Sequence, residues 1–169
     1  GAAVKWWYDY NVGLQDATRY THEFLGLSGD GLVAMRDNIR ATAETYGKDF
    51  MDVLSTVDNL VSQYHIDSAA ALDVVNQGFA SGADLSGDML DKIQKYSPVF
   101  HDIGLSADQM VAVIQQTRSG IFSDGGLDLI TMAGKKIREM SATTAKSLDA
   151  IGISSKQMQA DLESGNISM

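Results

Sequence analysis

Three histidines and a few glycine-flanked charged groups are the residues of this sequence whose types suit metal or phosphate chemistry. His22-Glu23 matches the start of the helical zinc-protease motif, but that motif needs a second histidine at position 26, which is glycine. His65 and His101 have no ligand partner three or four residues further along the chain. A metal site would therefore need three distant segments to converge, and we expect structural roles for the histidines.

The glycine-flanked groups also depart from the motifs they resemble. Gly134-Lys135-Lys136 lacks the glycine five residues earlier, where the chain has Leu129, and it lacks the Ser or Thr of a phosphate-binding loop. Segments 28–30, 86–88 and 123–126 lack the alternating acidic positions and closing Glu of a calcium loop, and helix capping explains them better. We predict that the chain has no metal, no cofactor and no enzymatic activity.

The composition of the 169 residues indicates a folded, helical and acidic chain. Hydrophobic residues make up 44%, enough to build a core, and Pro98 is the one proline. The absence of cysteine excludes disulfides and thiolate metal sites. The net charge of -9 and the lack of a basic stripe disfavour specific nucleic-acid binding, and no apolar run is long enough to predict membrane contact.

Apolar residues recur at intervals of three and four along almost the whole chain, which predicts helices. The clearest predicted helix covers residues 48–64, and Trp6 to Phe24 trace a near-heptad stripe on a first helix. We predict an all-α fold of about eight to nine short helices, packed as αα-hairpins in an irregular bundle. Pro98 predicts either a kink in a helix or the start of a short new one, and we favour a break near Ser97. The other predicted helices cover residues 32–46, 72–79, 89–96, 110–117, 127–140, 142–150 and 155–164.

Helix boundaries are marked by glycine at the stops and by Ser or Asp at the starts. One junction recurs as Gly26-Leu27-Ser28, Gly104-Leu105-Ser106 and Gly152-Ile153-Ser154, and the last two continue to a Gln-Met pair. We interpret it as a structural device rather than a site. The predicted N-caps are Ser28, Asp67, Ser86, Ser106, Asp124 and Ser154.

Two parts of the chain are expected to differ in their packing. Residues 1–28 form an N-terminal amphipathic helix that packs either apart from the rest or on a partner, and residues 29–169 form a multi-helix bundle. We expect both ends to be boundaries of a segment excised from a larger protein. The aromatic residues of the first helix form a candidate partner-binding face, with packing on the rest of the domain as the alternative. These residues are Trp6, Trp7, Tyr10 and Phe24.

From Trp6 to Met169 the sequence resembles the helical core of bacteriophage tail tape measure proteins, in particular prophage versions from bacteria of the Bacteroides type. The segments that carry the resemblance are 7–11, 17–21, 24–30, 46–49, 78–84, 100–106 and 118–122.

The resemblance implies a structural protein of the virion tail that determines tail length and leaves ahead of the DNA at ejection. It implies partners among tube, baseplate and tail assembly chaperone proteins, with self-association as a further option, and assembly in the host bacterial cytoplasm. No catalytic residues come with it. The alternatives are a helical protein-protein interaction module of another assembly and a fragment of a cell-wall hydrolase.

Overall fold

The computed structural model of the chain describes residues 1–117 and 126–128, with positions 132, 145–146, 149–150, 152, 154, 156–157 and 160. The predicted all-α class is confirmed, since the described residues form helices and turns without a strand. The helices predicted beyond residue 127 lie largely outside the described residues. The helices of residues 1–117 are α1 (Ala2–Leu25), α2 (Gly29–Tyr46), α3 (Phe50–Tyr64), α4 (Ser68–Ala80), α5 (Met89–Asp102) and α6 (Ala107–Thr117).

The chain divides into two compact units, residues 1–79 and 80–169. In the first unit α1 contacts both α2 and α3, and in the second unit α5 contacts α6. Packing of residues 1–28 apart from the rest of the chain, or on a partner, stays a prediction. Among the helices described above, none combines the length and apolarity that a membrane span requires.

Very short junctions connect the four helices of the first unit. Each junction begins with a residue at positive φ, namely Gly26, Gly47 and His65. Each ends on a Ser or Asp that precedes the next helix. A left-handed residue at a helix end changes the chain direction, and α1 with α2, and α2 with α3, fold back on one another as hairpins. The three junctions are residues 26–28, 47–49 and 65–67.

Gly26 supplies a clean test of this junction geometry, because its φ is 65° and an added Cβ would meet nothing within 4 Å. We expect Gly26→Ala to lower the free energy of unfolding by about 1 to 2 kcal/mol, the cost of placing an L-residue in the left-handed region. Urea unfolding followed by circular dichroism measures it. Gly31→Ala is the matched control, since Gly31 is helical and equally open, and it should be neutral or stabilising.

The core of the first unit is made of aliphatic side chains from α2, α3 and α4. Seven of them have no measurable exposure: Ile39, Val53, Leu54, Val57, Leu60, Ala71 and Val75. At one end of this core the rings of Tyr46 and Phe79 stack with centroids 4.4 Å apart. Polar links between helices are sparse, and one of them is the Thr42 hydroxyl bonded to Asn76 Oδ1 at 2.9 Å. Apolar burial is therefore the main stabilising contribution here.

Three buried hydroxyl groups donate hydrogen bonds inside their own helices. Thr21, Thr56 and Ser97 have no exposure. Each donates to the backbone carbonyl four residues earlier, at 2.7, 2.7 and 2.6 Å. The polar atoms therefore need no partner on a neighbouring helix.

The predicted break near Ser97 is wrong. Helix α5 continues from Met89 through Pro98 to Asp102. Tyr96 and Phe100, on either side of the proline, are 3% and 0% exposed. Ending the helix at Ser97 would move Phe100 out of the core, and the burial of a large aromatic side chain outweighs the hydrogen bond that proline removes.

Most predicted caps that fall on described residues are confirmed. The Asp67 carboxylate accepts from the Ala70 amide at 2.8 Å. The Ser154 hydroxyl accepts from the Gln157 amide at 3.2 Å. Ser28 stands at the N-cap position of α2 without a side-chain cap bond, and Asp124 lies outside the described residues.

The cap predicted at Ser86 is wrong. Asp88 occupies the N-cap of α5, and the carboxylate of Asp84 accepts from the Met89 amide at 3.0 Å. A carboxylate reaching back from the preceding turn replaces the serine, because it also complements the positive end of the helix dipole. Sequence analysis also missed Asp49, whose Oδ1 caps α3 by accepting from the Met51 amide at 2.8 Å.

Ser106 and Gln109 form a reciprocal capping box at the start of α6. The Ser106 hydroxyl accepts from the Gln109 amide at 3.2 Å, and the Ser106 amide donates to Gln109 Oε1 at 2.9 Å. We expect Ser106→Ala to lower the free energy of unfolding by about 1 kcal/mol. Ser86→Ala is the control, and its unfolding midpoint in urea should stay unchanged; equal losses in both variants would contradict the cap assignment.

Candidate partner-binding surface

Helix α1 is the longest described helix, with 24 residues against 18 in α2. The Arg36 Nη1 donates to the Thr18 hydroxyl at 2.9 Å, which fixes how the two helices pair. In an antiparallel hairpin that turns at residues 26–28, the last residue of α2 lies beside position 8 of α1. The first turns of α1, which contain Trp6 and Trp7, therefore extend past the end of α2.

An open groove of about 390 Å³ runs beside the middle of α1. Gly13, Asp16, Ala17 and Tyr20 form its α1 wall. These positions follow intervals of three and four, so they share one face of the helix.

The other walls of the groove come from later parts of the first unit. Arg40 of α2 contributes one side. The first turn of α3 contributes the other, with Asp49, Phe50 and Met51. The groove thus combines apolar side chains with the charged groups of Asp16, Arg40 and Asp49.

The surroundings of the groove are acidic. Residues 1–79 contain eleven acidic and five basic residues, a formal charge of -6. Three of the basic side chains are already paired, with Arg19 3.0 Å from Asp16, Arg36 2.8 Å from Asp37 and Arg40 3.5 Å from Glu44. The first unit therefore favours cationic partners.

The histidines have structural surroundings in the described part of the chain. His22 Nδ1 lies 2.7 Å from the Leu27 carbonyl and donates to it across the first junction. His65 ends α3 in the left-handed conformation, and His101 is exposed in the last turn of α5. Within the described residues, no group of three or more His, Cys, Asp or Glu side chains is arranged to hold a metal ion.

Two titratable groups of α3 are perturbed by burial. Desolvation raises the pKa of the Asp58 carboxyl and of the Tyr64 hydroxyl above their ordinary values. Burial disfavours the charged form of both groups, and neither belongs to the groove walls. These shifts reflect packing of α3 rather than an acid-base pair.

Comparison with known families decides the class of the protein. The family described as phage-related minor tail protein matches residues 14–168. The chain belongs to this family. Comparisons with curated proteins and with solved structures find no match.

The family match and the predicted face overlap in part. The match includes Phe24 and the groove residues from Asp16 to Met51, and it begins after Trp6, Trp7 and Tyr10. Phe24 is 38% exposed, as a partner-binding residue would be. The other three residues lie on α1, but their side chains are outside the described part of the structure.

The groove could not be predicted from the sequence, because its walls come from three helices. One signal was nevertheless readable: acidic residues recur every seven positions from 9 to 44. Residues seven apart lie on nearly the same face of a helix, so the repeat predicts an acidic row on α1 and another on α2. The six positions are Asp9, Asp16, Glu23, Asp30, Asp37 and Glu44.

Proposed function

We propose that this chain is a structural segment of a tail tape measure protein, acting in tail length determination and tail assembly and in the passage of DNA at ejection. The match to the phage-related minor tail protein family over residues 14–168 carries the proposal. The all-helical fold and the resemblance to tape measure segments support the finer assignment. The proposed location is the virion tail, reached from the host cytoplasm during assembly.

The hairpin junctions affect how much length each residue of the segment contributes along the tail. A continuous helix advances about 1.5 Å per residue, so a chain extended along the tube spans a length proportional to its residue count. The hairpins of residues 1–79 give a much shorter span per residue. The segment either stays folded at one place in the tail or opens its hairpins when it enters the tube.

Tail length in virions tests the proposal. We would remove residues 29–64 in frame from the parent protein, which deletes α2, α3 and the junction between them, and measure tails by electron microscopy. If the segment is extended in the tail, we expect tails shorter by about 54 Å. Duplication of the same residues should lengthen tails equally.

The other outcomes of the deletion and duplication experiment also test the proposal. Tails of unchanged length from both the deletion and the duplication would mean that this segment does not set length, which contradicts the proposal. A deletion that prevents tail formation, together with a duplication that lengthens tails, would support it. Replacement of Gly31 by Ala in the parent protein is the control, since it changes a residue of the same segment without changing chain length.

We also propose that the aromatic face of Trp6, Trp7, Tyr10 and Phe24 contacts another tail protein, with tube, baseplate and tail assembly chaperone proteins as candidate partners. The exposure of Phe24 and the extension of α1 past α2 support this. Phe24→Ala should weaken co-purification with the partner. Val33→Ala, at a residue of α2 with 44% exposure, should not.

A non-enzymatic role follows from the same proposal. The family is one of structural tail proteins, and the histidines of the described chain serve helix ends or lie exposed. The competing function is that of a cell-wall hydrolase fragment. Clearing of peptidoglycan in a zymogram by the purified chain would overturn the non-enzymatic assignment.

A further inference from the structure

We propose that the groove along α1 binds a partner α-helix that carries basic residues at heptad spacing. Two features of α1 support this: a row of small and aromatic residues beside the open groove, which we call the seam, and a row of acidic residues next to it. The proposal rests on the proposed function only for the source of the helix, another protein of the same tail.

The seam follows the four-three alternation of a coiled-coil helix. Gly13 and Tyr20 line the groove with Ala17, which is 6% exposed, and Phe24 continues their row in the exposed last turn of α1. Positions 6 and 10 extend it toward the amino terminus by register alone. In heptad terms these residues occupy the a and d positions, which contact a partner helix. The seam positions are 6, 10, 13, 17, 20 and 24.

The acidic row lies beside this seam in the same register. Asp16 and Glu23 each precede an a position by one residue, as position 9 does, and this is the g position of the heptad. The Asp16 side chain is 49% exposed, and Glu23 is exposed. Residues at g face charged side chains of a partner helix, so three acidic g positions select a basic partner.

Gly13, one of the seam residues, leaves space for a close neighbour. It lies in the interior of α1, where glycine lowers helix stability relative to alanine. An added Cβ would meet nothing within 4 Å, so packing within the unit does not require glycine there. The missing side chain leaves room for another backbone to approach α1 at the groove.

An antiparallel second copy of α1 fits the seam poorly. In an antiparallel pair the two acidic g rows would face each other, which is repulsive. The formal charge of -6 on residues 1–79 adds to that repulsion. The charge pattern therefore favours a different, cationic helix as the occupant.

A pair of synthetic peptides tests the proposal on the whole purified chain. Both peptides have three heptads with the same apolar a and d residues. One carries Lys at every e and g position, and the other carries Glu. Binding is measured by fluorescence anisotropy of labelled peptide at low and high salt. We expect the Lys peptide to bind about tenfold or more tightly than the Glu peptide, with the difference shrinking as salt is added.

Charge reversal on α1 should exchange this preference. The double variant Asp16→Lys and Glu23→Lys should lose the Lys peptide and gain the Glu peptide. The matched control is Asp73→Lys and Asp102→Lys, at two exposed acidic positions outside α1, with the same change in net charge. It should keep the original preference, and circular dichroism confirms that both variants are folded.

Three results would overturn the proposal: equal affinity for the two peptides, a preference that survives charge reversal on α1, or an equal effect of the control variant. Self-association of the chain through α1, detected by sedimentation, would assign the seam to a second copy and would also reject it. The peptide experiment uses the purified chain, whereas the tail-length experiment uses virions. Failure of either experiment would therefore leave the result of the other unaffected.

Discussion

Replacing Phe100 by alanine should lower the free energy of unfolding by about 3 to 5 kcal/mol, the largest loss that we expect from a single substitution. The ring has no exposure and its centroid lies 5.9 Å from that of Tyr96. Alanine would leave a cavity in the core of the second unit, because well-packed surroundings collapse only in part around a deleted ring. Urea unfolding followed by circular dichroism at 222 nm measures the loss.

Val33→Ala is the control for Phe100→Ala. Val33 is 44% exposed, and a surface truncation of this kind usually changes stability by less than about 0.5 kcal/mol. If the two variants unfolded at the same urea concentration, Phe100 would not be a core residue. The continuation of α5 beyond Pro98 would then lose its main support.

Replacing Pro98 by alanine should raise the free energy of unfolding, by up to about 3 kcal/mol. Pro98 lies inside α5, where its nitrogen cannot donate to the Gln94 carbonyl and its ring crowds the preceding turn. Alanine restores the donor and favours the helix. The same urea titration measures the gain.

The sign of the Pro98→Ala effect separates two interpretations of α5. A gain means that the helix passes through the proline and tolerates its cost. A loss would mean that the proline fits a real interruption, as local sequence rules predict. Pro98→Gly is a useful comparison, because glycine also restores the donor but lacks the helix preference of alanine, so its gain should be smaller.

The helices could be predicted well from the sequence because their apolar intervals and caps are local signals. The stripe from Phe50 to Tyr64 predicted α3 to within two residues at its start. Gly26 and Gly47 end helices as expected. The break predicted at Pro98 was wrong because burial of Phe100 outweighs the cost of a proline inside the helix. That burial depends on tertiary packing, which a local sequence rule does not contain.

The candidate site was predictable only in part. The aromatic pattern of the first helix drew attention to Phe24, which is 38% exposed, but left packing on the rest of the domain open as the alternative. The groove depends on Phe50 and Met51 lying beside Gly13, which are far apart in sequence. No periodicity within one helix specifies that proximity, and it arises from the lengths of α1 and α2 together with the turns between them.

The buried hydroxyls of Thr21, Thr56 and Ser97 affect how easily the helices come apart. Each hydroxyl stays bonded to a carbonyl of its own helix when neighbouring helices separate. Separation at Thr21 and Thr56 thus exposes apolar surface without breaking these hydrogen bonds, whereas separation at Ser97 also breaks the 3.6 Å bond between its hydroxyl and Met110 Sδ of α6. A helix therefore keeps its intrahelical hydrogen bonds when it leaves its neighbours. A hairpin would open at little cost on any surface that buries its apolar face equally well.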